Sequence, residues 1–318
     1  MQLNPFATKV KALAWLIRGL TLAIAIVLAS LAGTARAFDL NQHGLTGSWY
    51  RPGASGQGIE IEVYQDAIAP GIGYLQGSWA TFSIGWESGQ RWYTVGGAVQ
   101  TGQASATLEV FENTGGNFNA PPATRGVPIG TVVLTFSDCT TALMKYENLS
   151  LDGWGPFSGM IPLARLTPNV ICSMDDASRP DINFSYSGHW FDPAIPGQGL
   201  FIELNPIAEV SFVVWYTYAA DGASQGTYGE RWYSALGKFV PGMFTLPMTL
   251  YESTGGVIGG GSSDPAFTVR TQAVGTAAAN FFDCHTAQLT FKFDQGSNAG
   301  ASGTINLSRV GPAPQGCG

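Results

Sequence analysis

The feature that most constrains this chain is an internal duplication. Gly47-Ser48-Trp49-Tyr50 recurs as Gly188-His189-Trp190-Phe191, and Gly56-Gln57-Gly58 with Ile61-Glu62 recurs as Gly197-Gln198-Gly199 with Ile202-Glu203, all at an offset of 141. The order then continues. Trp79-Ala80-Thr81-Phe82 matches Trp215-Tyr216-Thr217-Tyr218, and Arg91-Trp92-Tyr93 matches Arg231-Trp232-Tyr233. Glu112-Asn113-Thr114-Gly115-Gly116 matches Glu252-Ser253-Thr254-Gly255-Gly256, Asp138-Cys139 matches Asp283-Cys284, and Ser158-Gly159 matches Ser302-Gly303. The offsets drift as insertions in loops would make them. A period this long is beyond solenoid repeats, so the expectation is two tandem domains, 38–172 and 184–318. The polar, Pro-containing stretch 173–183 reads as the linker between them.

The ends of the copies carry the cysteines. Cys139 and Cys172 are 33 residues apart, as are Cys284 and Cys317. Four cysteines allow three pairings. The duplication selects the one that keeps each bond inside its own copy. Closing such a loop stabilises a domain by roughly 3–4 kcal/mol on the chain-entropy account. No cysteine pair has the close ligand spacing of a zinc site.

Residues 1–37 contain Lys9, Lys11, Arg18 and Arg36, no acid, an apolar run from Leu20 to Ala32, and the small-x-small ending Ala35-Arg36-Ala37. This is the pattern of a secretory signal peptide cleaved after Ala37, which places the protein in the periplasm or outside the cell. Without that segment, 11 basic residues face 22 acidic ones, a net charge of −11. An acidic chain with no basic cluster excludes nucleic acid and anionic membranes as partners. No later segment is long and apolar enough for a transmembrane helix.

Only 12% of residues are charged while 45% are hydrophobic, and there are 42 glycines. Helical bundles and coiled coils need many more charged helix formers. Period two recurs instead. Ile59, Ile61 and Val63 alternate with Glu60 and Glu62, and Leu200, Ile202 and Leu204 alternate with Phe201 and Glu203. Further strands are expected near 74–83, 90–98, 105–112, 130–136, 141–147 and 157–165, divided by Gly, Pro and Asn turns. The fold class is therefore all-β: two tandem antiparallel domains of about eight strands each, forming an up-and-down barrel of calycin type or a sandwich.

The combined pattern (Gly-x-Trp-Tyr/Phe, Gly-Gln-Gly, Arg-Trp-Tyr, Thr-Gly-Gly, Asp-Cys, Ser-Gly-x-Ile-x-Leu-x-Arg) resembles a tandem module of exported Gram-negative bacterial proteins. The resemblance covers nearly all of the chain after residue 37. It implies export and carries no assigned chemistry. Gly44-Leu45-Thr46-Gly47-Ser48-Trp49-Tyr50 is also similar to the first strand of lipocalin and avidin-type barrels, although the other lipocalin motifs and the biotin-site pattern are missing. In that class a basic residue of the last strands packs over the first-strand Trp. Arg165 has the parity of Ile161 and Leu163, and Arg309 that of Ile305 and Leu307, so Trp49 and Trp190 are the rings they would cover.

Six polar residues kept by both copies are candidates for a site: Glu62 and Glu203, Arg91 and Arg231, Glu112 and Glu252. If Trp92 faces the core, Arg91 and Tyr93 face outward, and Glu62 opposes the Ile59 and Ile61 face. A cross-strand Glu–Arg pair on the outer sheet is one reading of these residues, and a polar binding cluster is the other. Glu62 with Glu112 is the candidate carboxylate pair for a hydrolase, which would need them about 5–10 Å apart in a cleft. His43, His189 and His285 do not recur at matching positions, which argues against a metal or histidine mechanism shared by both copies. Trp86 and Trp154 lack counterparts and sit in loop-like surroundings, where an aromatic can stack on a sugar or fill a partner's pocket. No cofactor is implied. The expected function is that of a non-enzymatic tandem β-domain protein binding a small ligand, glycan or protein. The alternatives are an extracytoplasmic hydrolase using the repeated carboxylates and a structural envelope or adhesin module.

Overall fold

The computed structural model describes residues 38–54, 56–84, 89–151, 153–173, 184–220, 229–258 and 268–317. The segment 1–37, most of the linker and Trp86 lie outside the described residues.

Among the described residues, sixteen strands form two closed antiparallel barrels of eight, each with simple up-and-down order. The first uses β1 (Gly47–Tyr50), β2 (Gly58–Ala69), β3 (Ile72–Phe82), β4 (Gln90–Gln100), β5 (Ser105–Asn113), β6 (Gly126–Phe136), β7 (Thr141–Leu151) and β8 (Trp154–Arg165). The second uses β9 (Gly188–Phe191), β10 (Gly199–Asn205), β11 (Val210–Tyr218), β12 (Glu230–Lys238), β13 (Thr245–Thr254), β14 (Arg270–Phe281), β15 (Thr286–Phe293) and β16 (Ser302–Arg309). A single turn of 3₁₀ helix precedes each first strand, at His43–Leu45 and Phe184–Tyr186. The β1–β8 and β9–β16 pairings close the rings, which removes open edges from a Gly-rich sheet.

Alternation along the strands sends one set of side chains inward. Trp49, Ile59, Ile61, Trp79, Tyr93, Val95, Leu134 and Met144 fill the first barrel, and Trp190, Ile202, Trp215, Tyr233, Phe291 and Phe293 fill the second. An opening among Trp79, Met144, Ile161 and Leu163 has a volume of about 10 Å³, no more than a water needs. The described inward side chains of both barrels form buried apolar cores. Arg165 lies over Trp49 with its guanidinium carbon 5.7 Å from the ring centroid, and Arg309 lies over Trp190 at 5.0 Å. Both basic residues therefore cover the rings that parity assigns them. Their terminal N–H groups also reach the 3₁₀ turns: Arg165 donates to the Gly44 and Thr46 carbonyls, and Arg309 to those of Ser185 and Ser187. The disulfides are Cys139–Cys172 and Cys284–Cys317, one in each copy.

The two barrels pack against each other through a third apolar cluster. It joins Ala80, Phe82 and Trp92 of the first to Phe201, Val214, Tyr216, Tyr218 and Trp232 of the second. This explains why β11 (Val-Ser-Phe-Val-Val-Trp-Tyr-Thr-Tyr) is buried on both faces, unlike a strand with one wet side.

Candidate functional site

The contacts across the seam between the barrels are reciprocal, as at an isologous dimer interface. Trp92 donates its indole N–H to the Thr217 carbonyl at 3.1 Å, and Trp232 donates its own to the Thr81 carbonyl at 2.9 Å. The Trp92 amide donates to Glu230, and the Trp232 amide to Gln90. Each barrel also lends an arm to the other. The β5–β6 connection brings Phe118 onto Trp215, Phe291 and Phe293, with ring centroids 5.3–5.9 Å apart. In return, Ile258 from the second copy packs on the core of the first. Gln198 holds the first arm, donating to the Asn117 carbonyl while its Oε1 accepts from the Thr217 hydroxyl. Gln57 holds the second in the same way, through the Val257 carbonyl and the Thr81 hydroxyl. Gly116 lies on Tyr218 and Gly256 on Phe82 so closely that a Cβ at either would collide with the ring. The Gly-Gln-Gly, Arg-Trp-Tyr and Thr-Gly-Gly motifs therefore recur because each one meets the other barrel.

Glu62 and Glu203 belong to this seam. Glu62 is completely buried. Its Oε1 accepts from Arg309 Nη1 at 2.6 Å, and its Oε2 accepts from the His189 amide at 2.5 Å and the Tyr64 hydroxyl at 3.0 Å. Burial alone would push this carboxyl up, but the His189 contacts and the Arg309 charge outweigh it and hold the pKa below the ordinary value. Glu203 mirrors it, accepting from the Ser48 amide at 2.9 Å and the Thr167 hydroxyl at 2.5 Å. Gly47 and Gly188 make room for these groups, since a Cβ on either would press on the guanidinium of Arg165 or Arg309.

The expected side for the Arg91 pair needs correction. Trp92 does not face its own core; it points into the seam, while Tyr93 and Arg91 point inward. Alternation was read correctly, but the outer face of β4 is covered by the second barrel and not by water. Arg91 is 1% exposed and donates to the Gln90 carbonyl at 2.8 Å. Glu112 pairs in register with Tyr93, so it stands on the inward side at the barrel mouth with Arg91. Glu252 has the same place opposite Tyr233, where it accepts from the Ser297 amide and hydroxyl, and Arg231 donates to the Glu230 carbonyl at 2.7 Å. Glu62 and Glu112 thus occupy opposite faces of one sheet, which excludes them as a joint carboxylate pair. Trp154 opens β8, pairs with Leu151 across the β7–β8 hairpin and is 70% exposed.

Two clefts open along the seam, lined by equivalent positions of the two copies. The first, of about 240 Å³, is lined by Gln76, Ser78, Trp92, Thr94 and Asn113 from one barrel, with His189, Phe191, Gln198, Leu200 and Tyr216 among the residues from the other. The second, of about 330 Å³, has Tyr50, Gln57 and Glu60 facing Phe212, Val214, Trp232, Ser234 and Ser253. The clefts differ where the copies diverge: Phe212 and Val214 replace Gln76 and Ser78, and Ser48 replaces His189. Glu60 accepts a hydrogen bond from the Tyr216 hydroxyl across the seam. Burial, with the Glu203 charge adding to it and the Tyr216 bond opposing it, pushes the Glu60 carboxyl up to about 8, so it is neutral at pH 7. Among the described residues no group of three or more His, Cys, Asp or Glu side chains is placed to hold a metal ion.

No family model matches the chain, and no curated protein matches it. The clefts lay beyond sequence reasoning because each is assembled from both copies. The usable signal was the repetition of polar residues beside apolar ones, as in Thr81-Phe82 and Thr217-Tyr218.

Proposed function

We propose that this chain is an exported binding protein whose two fused barrels present a pair of seam clefts to small neutral ligands. The observation that carries the reading is the lining of the first cleft. Aromatic side chains (Trp92, Phe191, Tyr216) line it together with amides and hydroxyls (Gln76, Gln198, Asn113, Thr94) and His189, with no Asp, Glu, Lys or Arg among the lining residues. Apolar faces with a few convergent hydrogen-bonding groups suit a ligand that is apolar on one face and hydroxylated at its edge, as a saccharide is. Export is supported by the two disulfides and by the signal-like first segment. Among the described residues no helix is long and apolar enough to cross a membrane.

The test is a titration of tryptophan fluorescence with a panel of neutral oligosaccharides. Thr94→Trp fills the first cleft and Ser234→Trp the second. Binding should be lost in one or both variants while the unfolding midpoint holds. Binding that survives the double variant would place the ligand elsewhere and end the proposal.

A further inference from the structure

The first cleft contains an arrangement that its twin lacks. His189 places Nε2 3.1 Å from the Ser78 hydroxyl and Nδ1 3.4 Å from Glu62 Oε2. Glu62 is ionised and acceptor-only, so it selects the tautomer with the proton on Nδ1. Nε2 is then left to accept from Ser78. The imidazole packs at 5.0 Å on Phe201, and Glu62 is itself fixed by Arg309 and Tyr64. Ser78 and His189 both line the cleft, as does Gln76, two residues before Ser78 on the same face of β3. The Gln76 carbonyl oxygen accepts from Tyr64 at 3.5 Å, which leaves its NH₂ group unpartnered among the described residues.

We infer that this cleft carries out acyl transfer, with Ser78 as nucleophile, His189 as general base, Glu62 as the orienting carboxylate and the Gln76 NH₂ as a donor to the developing oxyanion. The inference rests on this cleft being open to a small ligand, as proposed above, and its substrate class is a carboxylic ester of such a neutral molecule. Ser78 Oγ forms a bond to the acyl carbon and its proton passes to His189 Nε2; the ester C–O bond breaks and the leaving alcohol takes that proton. Water then attacks the acyl-enzyme, giving a proton to His189. The bond to Ser78 Oγ breaks, Ser78 recovers its proton, and a carboxylic acid leaves. Nδ1 is buried and forms no hydrogen bond here, with Glu62 Oε2 3.4 Å away, and such contacts commonly tighten into hydrogen bonds only when substrate binds.

The twin cleft argues against a purely structural role for the pair. Val214 and Ser48 stand where Ser78 and His189 stand, so the barrels pack on each other there without a serine–histidine pair. The barrel pair does not need a serine–histidine bond at this place. The relay also draws on both copies, Glu62 and Ser78 from the first and His189 from the second, so it occurs once.

The experiment is covalent labelling of the whole folded chain with a fluorophosphonate, read by intact mass and peptide mapping, alongside hydrolysis of p-nitrophenyl acetate. One adduct at Ser78 is expected, formed as the Oγ–P bond replaces P–F. Ser78→Ala should lose both adduct and turnover, and His189→Gln should slow labelling by about 10²–10⁴-fold at an unchanged unfolding midpoint. Absence of an adduct on Ser78 in the wild type overturns the inference, and that result depends on no variant folding. Turnover undiminished in Ser78→Ala overturns it as well. Saccharide binding that Thr94→Trp abolishes, with Ser78 unlabelled, would refute the relay alone. A labelled Ser78 with no saccharide bound would refute the ligand class alone.

Discussion

Replacing Glu60 with Gln should make the protein more stable in mildly alkaline solution. Glu60 is 3% exposed and its carboxyl is raised from 4.5 to about 8, mainly by burial. Between those two values the native state holds a proton that the unfolded chain has released. Stability from this group is therefore complete below about pH 4.5 and is lost as pH rises toward 8. At about 1.4 kcal/mol per unit, an interval of roughly 3.5 units corresponds to a loss of about 4–5 kcal/mol by pH 8–9. Glutamine keeps the shape and an oxygen to accept from Tyr216, but it has no proton to lose. Urea unfolding followed by tryptophan emission at pH 4.5, 6.5 and 8.5 gives the difference directly. The Glu60→Gln protein should match the wild type most closely at the lowest pH and gain on it by about 3–5 kcal/mol at the highest. Glu62 and His43 act on the acid side. The lowered Glu62 pKa contributes stability that is lost as pH falls through its folded value, and burial lowers His43 from 6.5 to about 4, so protonating it favours unfolding. Both are common to the two proteins and cancel in the difference. A difference that stays constant with pH, or that shrinks toward alkaline pH, would refute the burial of Glu60 as argued.

Three further outcomes follow from the seam and the staples. Glu203→Ala leaves the Ser48 amide and Thr167 hydroxyl without their acceptor and Arg165 without a nearby buried counter-charge, and should lower unfolding free energy by about 3–5 kcal/mol in chemical denaturation. Phe118→Ala and Ile258→Ala each remove an arm's anchor in the opposite barrel; each should cost about 2 kcal/mol and speed proteolytic cleavage of its own arm. Replacing Cys139 and Cys172 together with Ala opens a 33-residue loop and should lower stability by about 3–4 kcal/mol, with the same expected for Cys284 and Cys317.

Much of each barrel was legible because alternation and turn chemistry are local. The expected strand at 90–98 lies within β4 (Gln90–Gln100), and that at 157–165 within β8 (Trp154–Arg165). The inward parity of Arg165 and Arg309 was readable for the same reason: side chains two apart share a face. Which face meets water was not readable. Trp92 and Glu62 look like core and surface residues of a lone sheet, yet both are buried between barrels. Alternation assigns a residue to one of two faces, but it cannot say what covers each face. The candidate cluster Glu62, Arg91 and Glu112 came apart on that point, as did Glu203, Arg231 and Glu252. Trp154, expected in a loop, is the first residue of strand β8 and is 70% exposed.

The sequence alone determined the duplication, the all-β alternation and the pairing of cysteines within each copy, because these depend on order and spacing along the chain. Only the tertiary structure decided that the repeated motifs are the two halves of one reciprocal interface. It also decided that clefts open between the barrels, and that Ser78 meets His189. Those facts depend on contacts between residues more than a hundred positions apart, where the packing of one barrel on another, and no local periodicity, decides which side chains become neighbours.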